Sequence, residues 1–175
     1  MKIRLFAIVA CLLLLSVVGK AQNLKIGYVK VEKIFAEWPK TKASDKELQD
    51  YETQLQVRLQ AKVKDFQNKM AKFNKDLATM DALTKKDTET ELQNLQTQIQ
   101  QFEANAQQSV NEKNLALLKP LQNKLKQAID QVAIENGYTH ILDYGSSLVY
   151  TSDKTGDISA QVAQKLGFTL SSDSQ

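Results

Sequence analysis

The chain has one histidine, His140, and one cysteine, Cys11, from which nucleophilic or general-base chemistry could be assembled. Neither has company. Cys11 lies in the apolar run Leu5 to Val18, and His140 in the alternating stretch Tyr138-Thr139-His140-Ile141-Leu142, where a strand would turn it to one face. A catalytic imidazole needs a nucleophile within hydrogen-bond reach and a third group to orient it. A metal centre needs several His, Cys or grouped carboxylates. Neither pattern occurs, and no glycine-rich phosphate loop is present. The residues predict no catalytic site, no metal and no cofactor.

What remains is non-covalent. Arg58 to Lys86 carries eight cations (Arg58, Lys62, Lys64, Lys69, Lys72, Lys75, Lys85, Lys86) against Asp65, Asp76 and Asp81, a net +5. Asp87 to Glu112 carries five acids and no cation. Apolar residues are interleaved with the cations: Met70, Phe73, Leu77, Met80 and Leu83. Such a surface can hold acidic, apolar polymers. The formal net charge of +3 rests on Lys2, Arg4 and Lys20 alone, so no overall charge argues for nucleic acid.

These residues need a long scaffold. Between Gly27 and Gly137 there is no glycine, and from Ala43 to Asn136 the only proline is Pro120. That stretch is filled with Lys, Glu, Gln, Leu and Ala, all good helix formers. From Val63 through Phe66, Met70, Phe73 and Leu77 to Met80, apolar residues alternate steps of three and four, a heptad seam. A second series runs Leu92, Leu95, Ile99, Phe102, Ala106 and Val110, then Leu117, Leu121, Leu125, Ile129 and Val132.

The two series fit as an antiparallel hairpin in which facing residue numbers add to 168 or 169: Phe66 with Phe102, Phe73 with Leu95, Leu59 with Val110. This register predicts a turn between Met80 and Thr88, capped by Thr84 or Thr88. Its thin layers are Leu55 opposite Lys113 or Asn114, and Val63 opposite Ala106. The basic outgoing arm and acidic return arm favour pairing with each other. Each arm spans roughly 55–60 Å. Two helices bury only a narrow stripe each, so the hairpin must project from a body.

Met1 to Ala21 reads as an export signal: a positive start, an apolar run, and small residues in Gly19-Lys20-Ala21 before a cut preceding Gln22. The rest then lacks cysteine and balances 20 cations against 20 acids. Residues 22–43 and 121–175 are expected to form the body, and 44–120 the arm. Lys25 to Val29 reads as a strand. Val31, Ile34, Phe35 and Trp38 share one face of a short helix. The long helix starts between Pro39 and Ser44, with Ser44 and Glu47 a capping box. Pro120 should bend the return helix near the body, and Gly137 should end it. Two strands, Tyr138–Asp143 and Ser147–Thr151, flank Tyr144-Gly145-Ser146. A last helix begins at Asp157 or Ser159 and stops at Gly167, and the polar tail is loose. The class is α+β, with a three-stranded body too small to stand alone.

Several short motifs resemble the Skp/OmpH family of periplasmic chaperones: Lys25-Ile26-Gly27-Tyr28-Val29, Ala128-Ile129 with Val132-Ala133, Glu135-Asn136-Gly137-Tyr138, Ile141-Leu142-Asp143, Val149-Tyr150 and Asp157-Ile158-Ser159. Each is short, but their order around a long helical hairpin is specific. The resemblance implies a periplasmic homotrimer whose bodies share a β-sheet core and whose arms enclose a cavity. Ile26, Tyr28, Ile141, Leu142 and Val149 would form that shared core. It implies ATP-independent holding of unfolded outer-membrane proteins, and peripheral contact with membrane lipid. Because the return arm here is acidic and glutamine-rich, no lipopolysaccharide site carries over. Client binding falls to Met70, Phe73, Leu77, Met80 and Leu83, partly exposed near the tip, with Lys69, Lys72, Lys75, Lys85 and Lys86 around them. The residues alone leave open an envelope coiled-coil spacer or adaptor without chaperone activity.

Overall fold

The structure is a computed structural model and describes residues 24–171. The signal segment lies outside the described residues. The order is β1 (Ile26–Val29), α1 (Val31–Glu37), α2 (Pro39–Asp76), α3 (Ala82–Glu135), β2 (His140–Asp143) and α4 (Ser159–Lys165). It is mostly helical, with a small sheet.

The body core gathers Val29 of β1, Ile34 of α1, Trp38, and Ile158 and Val162 around α4. From α3 come Leu121, Leu125, Ala128 and Val132, whose steps of four, three and four place them on one helical face. Pro39 opens α2, where its missing N–H costs nothing. Helix initiation at Pro39 leaves Ser44 inside α2, so the Ser44 capping box does not form. Pro120 lies inside α3, which continues through it; the ring is exposed one residue before Leu121 enters the core. Gly137 ends the helical run in the left-handed region (φ 67°), and the N–H of Tyr138 bonds back to the carbonyl of Ala133 at 2.9 Å.

β1 and β2 are parallel, with Ile26 opposite His140 and Tyr28 opposite Leu142. The long helical excursion between them permits this arrangement. Gly27 is needed because a Cβ there would sit 2.8 Å from the Tyr138 ring. The other side of β1 is occupied at Tyr28, whose N–H and C=O bond to Gly156 and Ile158 (2.8 and 2.9 Å). The expected strand Ser147–Thr151 is absent. After a turn in which the carbonyl of Asp143 accepts from Ser147 and Leu148, a single bridge joins Tyr144 and Leu148. Both sides of β1 are already occupied, and Val149 and Tyr150 turn to solvent instead.

The hairpin forms, but in a different register. Lys69 pairs with Glu91, and Lys113 with Glu47, so facing numbers add to 160. Leu59 and Phe102 line the same groove, as do Leu55 and Ala106. The apolar layers add to 161 where 168 was expected, so one arm has slipped by one heptad, about 10 Å. A seam that repeats every seven residues loses little apolar pairing in such a slip, so periodicity cannot choose between the two. The turn chooses. Asp81, not a threonine, caps α3: its carboxylate accepts from the backbone N–H groups of Leu83 and Thr84 (2.9 and 3.0 Å) and from the Thr84 hydroxyl. Reversal therefore occurs over Leu77 to Asp81.

The tail is not loose up to Ser171. Phe168 and Leu170 pack on the core, and Glu37 accepts from the backbone N–H and the hydroxyl of Ser171 at 2.7 and 2.6 Å. Those bonds, the hydroxyl's first, hold the Glu37 pKa below the ordinary carboxylate range. A lowered carboxylate pKa stabilises the fold above the unfolded value and loses that contribution as pH falls through the folded one. Acid titration of stability, read by the fluorescence of the neighbouring Trp38, should therefore fall more steeply for the wild type than for Glu37→Gln. Identical acid limbs would show that the clamp does not contribute.

Candidate functional site

At the arm's distal end the predicted residues divide. Leu77 is 39% exposed and Leu83 is 69% exposed, while Met70 and Met80 are half-buried. Phe73 is only 9% exposed, against the expectation of partial exposure. With the turn beginning at Leu77, Phe73 lies a full helical turn inside the hairpin and is buried there.

The lysines divide too. Lys72, Lys75, Lys85 and Lys86 are exposed. Lys85 lies 4.0 Å from Glu89, at the limit of an ion pair. Lys69 is committed to the hairpin: its hydrogen bond and ion pair with Glu91 raise its pKa. Among the tip acids, Asp81 is engaged as the cap, and the hydrogen bonds from Thr84 hold its pKa below the usual range. Its charge is directed at the α3 N-terminus. The tip thus presents two exposed leucines beside four exposed lysines.

The second surface is on the body. The strand register sorts the predicted association residues by face. Gly27, Val29 and Ile141 point to the helices, and Ile141 packs on the chain's own core. Ile26, Tyr28 and Leu142 share the opposite face. Tyr28 is already buried within the single chain, its ring 5.5 Å from that of Tyr144, and that burial, then Asp157, raises its pKa. Ile26 remains exposed, and Val149 and Tyr150 are 90% and 78% exposed. Leu24 and Ile134, which the motifs did not single out, extend the exposed apolar set. Tyr150 was detectable from its place beside Val149; Ile134 falls off the seam of α3 and left no periodic signal.

His140 is exposed, its Nδ1 3.1 Å from the Thr139 hydroxyl and from no other side chain's polar atom among those described. No group of His, Cys, Asp or Glu among the described residues could hold a metal ion. No described helix is long and apolar enough to cross a membrane.

This geometry, a small body with one projecting hairpin, has known counterparts. Residues 25–166 match the family described as outer membrane protein (OmpH-like). The chain belongs to the OmpH-like family. A protein named chaperone protein Skp from Yersinia enterocolitica is 28% identical over 159 residues, covering 88% of this chain and 93% of that one. Its namesake from Pectobacterium atrosepticum is 29% identical over 146 residues, covering 79% and 85%. A solved OmpH-like protein from Caulobacter crescentus shares the fold with a TM-score of 0.74 at 17% identity, covering 82% of this chain and 83% of that one. The OmpH-like family is one of outer-membrane chaperones and not an enzyme class, in keeping with a surface that offers contact area and charge in place of reacting groups.

Proposed function

We propose that this chain is an ATP-independent periplasmic holdase that binds unfolded outer-membrane proteins and keeps them from aggregating. It acts as a homotrimer joined through bodies formed by residues 22–43 and 121–175, with arms formed by 44–120. The observation that carries the reading is the tip: Leu77 and Leu83 exposed beside Lys72, Lys75, Lys85 and Lys86. A spacer gains nothing from unburied leucines at its far end. Apolar contact supplies most of the affinity, at about 25 cal/mol per Å² buried. Half-buried Met70 and Met80 let the surface adapt to different segments. The lysines raise the capture rate for acidic clients, and salt screens them beyond about 8 Å.

The body surface supports assembly. One two-stranded sheet leaves the outer edge of β2 open. Elsewhere on the body Ile26, Val149 and Tyr150 are apolar and uncovered. A neighbouring copy would cover them.

The test is an aggregation assay on a diluted, unfolded β-barrel protein, followed by light scattering. Leu77→Ser with Leu83→Ser should weaken holding several-fold while changing stability by about 0.5 kcal/mol or less, as for exposed positions. Glutamine at Lys72, Lys75, Lys85 and Lys86 should slow capture and flatten its salt dependence. Full protection by both variants would favour the adaptor reading.

A further inference from the structure

Holding at the tip leaves a groove halfway along the arm unexplained. It has a volume of about 410 Å³ and a floor of Leu55, Leu59, Phe102, Ala106 and Val110. Its rim is Glu52, Gln56, Glu103 and Gln107, with no cation. The groove has two causes. Tyr51, Leu55, Leu59 and Val63 step by four each time, so the seam drifts off the heptad there. Opposite Leu55 stands Ala106, whose methyl group cannot fill the layer. Neither Glu52 nor Glu103 has an ion pair among the described residues. The nearby Lys62 is directed at the Phe102 ring, with its Nζ 5.7 Å from the centroid.

We propose that this groove is a second polypeptide-binding site on the arm, taking an unfolded segment in which lysine or arginine neighbours a large apolar side chain. It rests on the reading of the arm as a client-binding surface. The apolar neighbour and the aliphatic stem of the cation lie on the floor, and the charged head reaches Glu52 or Glu103 at the rim. The rim repels the acidic segments that the tip attracts, so one arm carries two sites of opposite charge. Leu55 on α2 and Leu77 at its C-cap are 22 residues apart, about 33 Å. An extended client segment of about ten residues spans that distance, so acidic and basic stretches of one client can be held together.

The experiment measures binding of two short labelled peptides by fluorescence anisotropy to the full chain with glutamine at Lys72, Lys75, Lys85 and Lys86, which silences the tip. One is built of lysine, leucine and serine; the other has glutamate for lysine. This tip-neutral chain should bind the cationic peptide about fivefold more tightly, the scale of two exposed ion pairs. Glu52→Gln with Glu103→Gln, both exposed and dispensable for folding, should bring the two peptides to within about twofold. Ala106→Leu should fill the layer, raise the thermal midpoint and weaken cationic-peptide binding together. Equal binding of both peptides by the tip-neutral chain, or unchanged preference when Glu52 and Glu103 are also glutamine, would overturn the site. So would Ala106→Leu with higher stability and unchanged affinity. Failure here leaves wild-type suppression of aggregation intact, whereas failure of the holdase reading removes that suppression and leaves the peptide preference measurable.

Discussion

Trp38→Ala should remove most of the body's stability, about 3–5 kcal/mol for a large aromatic truncated in a core. Trp38 is fully buried at the joint between α1 and α2, packed beside Phe35 and within the cluster that joins β1, α3 and α4. A domain of this size holds only about 5–15 kcal/mol in total, so no other core position concentrates as much risk. Urea unfolding followed by circular dichroism should show an early loss of the cooperative transition. Leu115→Ser, on the exposed side of α3, should stay within about 0.5 kcal/mol of wild type. A tolerated Trp38→Ala would mean that the body is not held by this cluster.

The second large effect concerns assembly. Val149→Asp with Tyr150→Asp should dissociate the oligomer while leaving the chain folded, because both side chains stand free of the single-chain core. Two buried side chains are worth about 3 kcal/mol per interface, or roughly a hundredfold in each association step, and placing charges there adds a desolvation penalty. Sedimentation should shift from a trimer to a monomer at micromolar concentration. A wild-type monomer would contradict the proposed assembly outright. A variant that remains trimeric would move the interface elsewhere on the body.

The sequence carried the hairpin, the short α1, the proline start of α2, the Gly137 and Gly167 stops and the apolar faces of the body helices, because each has a local signature: helical spacing, a missing N–H, a left-handed turn. Register had none. A heptad seam is nearly degenerate to a slip of one repeat, and the choice lay with Asp81, a cap that only wins once the turn is formed. Phe73 followed from that error and is buried where partial exposure was expected. The missing strand Ser147–Thr151 has β propensity, but propensity is realised only against a partner strand: β1 had already filled its second edge with Gly156 to Ile158, and the segment makes only the local Tyr144–Leu148 bridge and does not run along the open edge of β2. The tail clamp was invisible because Glu37 and Ser171 are 134 residues apart in sequence. The tip was legible in composition, as lysines interleaved with leucines, but which of them remain free depended on the turn.

The account rests on the arm as the binding surface, and shortening it tests that most directly. Excising Gln56 to Ala104 and joining Leu55 to Asn105 through a short glycine-serine loop cuts both helices at matched positions of the observed register and removes the tip together with Lys69 and Glu91. The body remains. Light scattering of a diluted, unfolded outer-membrane barrel protein should then show aggregation close to that without chaperone, while sedimentation still shows a trimer. A shortened trimer that suppresses aggregation as fully as the wild type would contradict the account.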